Sequence, residues 1–452
     1  MALIAPFRAL RYDPARVRLQ DVVTQPYDKI TPSLQTGYYE ASPYNLVRII
    51  LGRREPEDAS PDAIYTRAAS SFQEWRRQGV FLQDSQPSIY TYSQTFEAPG
   101  SHQRHERRGF IALGKLEDYA AGIIFRHEQT LAKPKADRLN LLRATRAHFG
   151  QLFMLYSDAG EIDSLLTSPA PPDIDLEDDN HVQHRVWRIS DPSLIDLVRA
   201  KMRDQQLVIA DGHHRYETAL AYRNERAAAN ATHVHAGVPR QKSTGNVMLR
   251  EREVEAAPYE MVMMTFVNRN SPGLVILPTH RVVHGITSFS ADEFALKASA
   301  YFRVEEVDAT VDAARATAIL REASRASGAM LAVSASRAIL LHSCKAMSSP
   351  VFSGYSFRQQ MLDIVQLHRC LLEGALGLSE ESIRNQENIS YVRSTEEALT
   401  RVREGGANVA FLMNPCRMDQ VRDIALAGEV LPQKSTDFYP KLLSGLTIYA
   451  LD

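Results

Sequence analysis

The sequence predicts an α/β to α+β fold, with mixed sheets and flanking helices. Three observations carry that expectation. Short apolar segments with strand-like alternation recur along the chain, and helical periodicities fall between them. The run Leu207 to Tyr216 also takes an apolar strand through Asp211-Gly212 straight into a helix. At 452 residues the chain exceeds one ordinary core. Three consecutive domains are expected: 1–180, a central 181–289 containing the turn, and 290–452 closing the site.

In the first segment, Ala63 to Gly79 reads as a helix, with Ile64, Ala68, Phe72 and Trp75 at helical spacing and Gly79 ending it. Ser88 to Phe96 alternates as a strand, and Gly109 to Leu113 suits its hairpin partner. The polar, basic stretch 97–108 between them is expected to be a solvated loop. A helix should begin near Pro134, and Gln151 to Tyr156 is a further apolar strand before a Pro- and Asp-rich connection. In the central segment, Ser193 to Gln205 is a helix with Pro192 near its start, leading into the strand Leu207 to Ala210. Residues 224–243 read as an exposed segment, and Tyr259 to Val267 and Gly273 to Leu277 as strands. In the last segment, Ser290-Ala291-Asp292-Glu293 forms a capping box that opens a helix through Phe302. Met330 to Val333 and Ala338 to Leu341 resemble a hairpin, Asp363 to Leu376 a helix ended by Gly377, and Ala407 to Met413 and Leu446 to Leu451 strands.

Hydrophobic content of 44% and charged content of 23% are those of a globular protein of enzyme size. A net charge of −2 argues against general nucleic-acid binding. Three widely spaced cysteines argue against a disulfide framework or a cysteine-built zinc site. The first residues lack a basic region followed by a long apolar run, and no stretch has the length of a membrane span. A cytoplasmic protein without membrane attachment is expected, acting on a small-molecule substrate; the sequence leaves its oligomeric state open.

Three clusters could carry chemistry. Asp211-Gly212-His213-His214-Arg215 stands at a strand-to-helix turn, where unpaired N–H groups, the positive end of the helix dipole and basic side chains favour phosphate. In Phe125 to Arg138, Glu128 beside His127 could be a general base, and Lys133, Lys135 and Arg138 could neutralise anionic oxygen. Asp137 is the next candidate base. The turn-rich segment Leu431 to Leu442 offers Lys434 and Lys441 as phosphate-binding cations; it lacks the glycines of a Walker loop. Tyr27, Asp28, Asn45 and Arg48 are candidate substrate contacts, together with Arg138. His233 and His235 are spaced as on one strand face and His280 and His284 as on one helix face, neither pair with a convincing further ligand.

At these residues the chain is identified as a member of the domain-of-unknown-function family numbered one thousand and fifteen. The resemblance runs end to end, through Pro26-Tyr27-Asp28, Pro43-Tyr44-Asn45 with Arg48, His127-Glu128 with Thr130, Asp137-Arg138, Ala210 to Tyr216, Gly273 to Arg281 and Pro432 to Gly445. The family name supplies no activity. The Asp-Gly-His-His-Arg turn also resembles the phosphate-binding box of the ParB and sulfiredoxin superfamily, one branch of which comprises free serine kinases. That local resemblance implies a ParB/sulfiredoxin-like core around the turn, with Asp211 to Arg215 contacting nucleotide phosphate or, through Asp211, its metal ion. The implied function is a phosphotransferase using ATP or ADP and Mg²⁺ on a small hydroxylated metabolite, with free L-serine as one candidate acceptor. A nucleotide hydrolase or nucleotide-binding switch is the alternative. A non-catalytic protein that binds only an anion is a third reading.

Overall fold

The computed structural model describes residues 1–101, 103–130, 132–234, 256–325 and 328–452. The fold is a mixed α/β arrangement with mixed sheets and flanking helices, as the sequence predicts. The chain forms two compact units. The first comprises 1–126, 130–275 and 440–452; the second comprises 127–129 and 276–439. The sequence boundary at 180/181 falls inside the first unit, between the paired strands Ile174–Glu177 and Gln183–Ile189.

A nine-stranded sheet organises the first unit. Its order is Ile124–Phe125, Leu207–Asp211, Leu152–Tyr156, Met261–Asn268, Arg104–Lys115, Ile89–Glu97, Gln183–Ile189 and Ile174–Glu177, with Ile4–Ala5 beside Arg104–Lys115. Parallel and antiparallel neighbours are mixed. The central strand Met261–Asn268 is buried along its whole length, so its apolar run is continuous rather than alternating. The hairpin partner begins earlier than expected: Arg104 to Arg108 pair with Ser93 to Glu97, so the basic stretch is strand from Arg104 on. Arg107 then turns inward and is only 1% exposed.

Pro192–Met202 forms a helix capped by Asp191, whose side chain accepts the Ser193 N–H. It precedes the strand Leu207–Asp211 and the long helix His213–Val234. That helix continues past Asn224, where an exposed segment is expected, because its Ala-rich composition favours helix. His233 belongs to its last turn, but its side chain, with His235, lies outside the described residues, as does the Lys133 side chain.

The second unit is built on a six-stranded antiparallel sheet in the order Arg303–Val307, Ala338–His342, Ala329–Ser334, Val409–Met413, His280–Val283 and Ile389–Val392. His280 lies in a strand with its ring buried, so the helical spacing to His284 has no structural counterpart. The helix expected from Asp363 is α-helical only to Gln366 and continues as a π-helix over Leu367–Ala375. Of the strand expected over 446–451, only Tyr449–Ala450 forms, pairing with Ala147–His148. Among the described residues, no helix is long and apolar enough to cross a membrane.

Candidate phosphate site

The strand Leu207–Asp211 ends at Gly212, whose φ of 99° lies in the left-handed region. A Cβ there would meet Leu152 Cδ2 at 2.9 Å and Arg215 Nη2 at 3.0 Å. Only glycine fits both the torsion and the closeness of the guanidinium. The helix then starts at His213, and its first turn carries Arg215 back toward the strand end.

Arg215 Nη1 donates to the Gln151 carbonyl at 2.5 Å, and its Nη2 lies 3.5 Å from Asp211 Oδ2. Lys441 Nζ approaches the same oxygen at 3.9 Å. Burial pushes the Asp211 carboxyl up, but Lys441, Arg215, Lys29 and His213 outweigh it and hold the group well below the usual carboxylate range. The turn is therefore a cationic nest around one ionised carboxylate. His213 is buried and His214 half-buried.

A cavity of ≈ 80 Å³ opens beside this turn. Arg215, Arg138, Tyr27, His148, Thr218 and Ser444 supply its polar edges. The Arg138 guanidinium stacks on the Tyr27 ring at 4.2 Å and donates to the Ile50 carbonyl at 2.6 Å. Asp137 accepts from Arg138 Nε at 2.8 Å and from the Tyr65 hydroxyl at 2.7 Å, so its carboxylate is spent on orienting neighbours. Burial pulls the His148 pKa down to about 4, leaving a neutral imidazole at the cavity wall. Two arginines from distant parts of the sequence thus line one small cavity at a helix N-terminus.

The second cluster is tied to the same helix. Glu217, one turn beyond His213, accepts from Thr130 Oγ1 at 2.7 Å, Lys135 Nζ at 2.9 Å and Arg126 Nη1 at 3.1 Å. Sequence reasoning left Glu217 unassigned, although its place four residues after His213 puts it on the same helix face.

Glu128, His127 and Lys434 come together in the second unit. Glu128 Oε1 accepts the Lys434 N–H at 3.0 Å, and Arg281 Nη2 donates to the Lys434 carbonyl at 2.9 Å. Those two bonds hold Lys434 at a φ of 57°, a left-handed conformation unusual for a side chain of its size. His127 is fully buried, with Nε2 at 2.8 Å from Thr436 Oγ1.

Two candidate substrate contacts take scaffold roles instead. Asn45 is fully buried: its amide donates to the Asp21 carbonyl at 2.8 Å and its oxygen accepts the Val47 N–H at 2.9 Å. Arg48 Nη2 donates to the Tyr39 carbonyl at 2.8 Å, near the end of the helix Pro32–Ala41. Asp28 is exposed, next to cavity-lining Tyr27.

A nucleotide phosphate fits the donor set of Arg215, Lys441 and the helix N-terminus. For Mg²⁺, no cluster of three or more His, Cys, Asp or Glu side chains occurs among the described residues. A magnesium ion that keeps phosphate and water ligands needs only one or two carboxylates, and Asp211 stands at the turn.

The chain is similar to several solved structures. A free serine kinase in complex with AMP matches at 12% identity over 73% of this chain and 86% of that chain, with a TM-score of 0.34. A conserved hypothetical protein from Pyrococcus furiosus matches at 11% over 74% and 92%, with a TM-score of 0.34. A C-terminally truncated SbnI from Staphylococcus aureus matches at 8% over 74% and 85%, with a TM-score of 0.34. No curated protein matches the chain. The family model described as Protein of unknown function (DUF1015) matches residues 4–339, and the chain belongs to that family.

Proposed function

We propose that the chain is a nucleotide-dependent phosphotransferase acting on a small hydroxylated metabolite, with free L-serine the first acceptor to test. The observation that carries the reading is the convergence of Arg215, Arg138 and Lys441 around the Asp211-Gly212 turn. Phosphoryl transfer is chiefly positioning and charge stabilisation, and this turn offers both.

In this reading ATP or ADP, with Mg²⁺ at Asp211, supplies the phosphoryl group. Arg215, Lys441 and the N–H groups that open the helix hold its phosphates. Arg138, fixed by Asp137 and the Tyr27 ring, orients an anionic group in the cavity. Tyr27 and Asp28 contribute acceptor contacts. A carboxylate base takes the acceptor's hydroxyl proton as the oxygen–phosphorus bond forms and the bond to the nucleotide leaving group breaks, and Glu128 is the candidate to test first by substitution.

The test is incubation of purified protein with ATP, ADP or pyrophosphate, Mg²⁺ and a pool of small alcohols including L-serine, read by mass spectrometry. A phosphorylated alcohol is the expected product. Nucleotide consumption that ignores added alcohols would mean a hydrolase or nucleotide switch instead. No consumption of any donor overturns the catalytic reading.

A further inference from the structure

The second unit holds a cavity of ≈ 390 Å³ that the phosphate site does not use. Its lining comes almost wholly from residues 353–433, beyond the span matched by the family model. Part of the lining comes from the π-helix Leu367–Ala375, at whose end the Leu376 N–H reaches back to the Leu371 carbonyl at 2.9 Å. In an α-helix, residues five apart stand about 140° apart around the axis. The wider i→i+5 winding returns them to one side, and His368 and Glu373 both line the cavity. π-Helical turns are rare and recur at functional sites.

His368 is 8% exposed, and its Nε2 has no hydrogen-bond partner among the described residues. Burial, with Arg281 and Arg369 adding to it, pulls the ring's pKa down to about 3. The imidazole is therefore neutral, and the ring stands in the cavity wall as a polar, uncharged group. The charged groups at the cavity are already paired. Arg369 binds Glu373, and Arg384 Nη2 donates to Glu380 Oε1 at 2.6 Å. Tyr355 and Tyr391 also line the cavity, with Arg369 over the Tyr355 ring at 5.7 Å and Arg281 over the Tyr391 ring at 5.4 Å.

A charged ligand would find its counter-charges occupied. Hydroxyl groups suit the set better, because each can donate to a carboxylate or imidazole and accept from a carboxamide or phenol. Ring faces of tyrosine suit the C–H face of a sugar or cyclic polyol. We propose that this cavity binds an uncharged polyhydroxylated molecule of monosaccharide size, held by His368, Glu373 and Gln433 against the tyrosine rings. The proposal does not rest on the phosphotransferase reading.

Saturation-transfer NMR on the full-length protein, with D-glucose, D-ribose and myo-inositol as probes, tests it. Adenosine and citrate serve as comparators. Transfer to at least one polyol is expected, weakening about tenfold in His368→Ala and in Gln433→Ala. Gln433 lies on a loop, so Gln433→Ala keeps the test informative if His368→Ala fails to fold. The assignment is overturned if no polyol shows transfer, if Gln433→Ala leaves transfer unchanged, or if only adenosine or citrate binds.

Discussion

Asp211 is the residue on which the phosphate reading turns. It is an ionised carboxylate inside a nest of Arg215, Lys441, Lys29 and His213, and it competes with any anion for those cations. Asp211→Asn should therefore tighten binding of inorganic phosphate several-fold in the absence of Mg²⁺, measured by calorimetry. In the phosphotransferase reading the same change abolishes Mg²⁺-dependent turnover, because the metal loses its carboxylate. Weaker phosphate binding in Asp211→Asn would show that the carboxylate organises the cations rather than opposing the ligand. Arg215→Ala removes a charged phosphate contact worth roughly 1.5–3 kcal/mol, so donor affinity should fall between about tenfold and a hundredfold. Glu128→Gln should leave donor affinity nearly intact and abolish turnover, since a base acts on the acceptor. Full activity in Glu128→Gln removes that residue from the chemistry.

At the scale of elements, the buried arginine on the strand Arg104–Lys115 fixes the position of Lys441. Arg107 Nη2 donates to the Pro440 carbonyl at 2.5 Å, and Gln94 Nε2, from the neighbouring strand, donates to the Lys441 carbonyl at 2.9 Å. Both clamps act on the backbone that presents the ammonium to Asp211. Arg107→Met should weaken donor binding, and the loss should nearly vanish in a Lys441→Ala background. Such a double-mutant cycle separates positioning from general destabilisation, which adds independently. Equal losses in both backgrounds would rule the clamp out. This pair also shows where sequence reading stops. The Asp211 to Arg215 motif is legible because strand, turn and helix start are contiguous, each with its own local signal. Arg107 sits in His105-Glu106-Arg107-Arg108, which reads as a solvated loop; only pairing with Ser93 to Glu97 turns one of its charges inward. The π-helix was equally hidden, because its apolar spacing over Asp363 to Leu376 passes for an ordinary helix. Arg138 and Arg215, seventy-seven positions apart, meet through packing that no local pattern encodes.

For the molecule as a whole, the buried histidines set the acid limit of stability. Burial pulls His148 and His280 down to about 4, and His368 to about 3, against an ordinary value near 6.5. A group with a depressed folded pKa binds fewer protons folded than unfolded throughout that interval. Stability is then fully present above the unfolded value and is lost as pH falls toward the folded one. Three carboxyls oppose them, because burial raises Asp163, Glu373 and Asp363. Burial raises the Asp363 carboxyl to about 6, so it holds a proton in the fold that the unfolded chain releases above about 4. Between about pH 6 and pH 4 each of these histidines therefore costs stability on acidification and Asp363 gives some back, each by at most about 1.4 kcal/mol per pH unit. Urea titrations followed by circular dichroism at half-unit steps would measure it for each transition resolved. His280→Gln should flatten the slope of the transition that carries it by about one proton, and Asp363→Asn should steepen its own by the same amount. A slope that His280→Gln leaves unchanged would mean that this ring is reached by water and protonates within the fold.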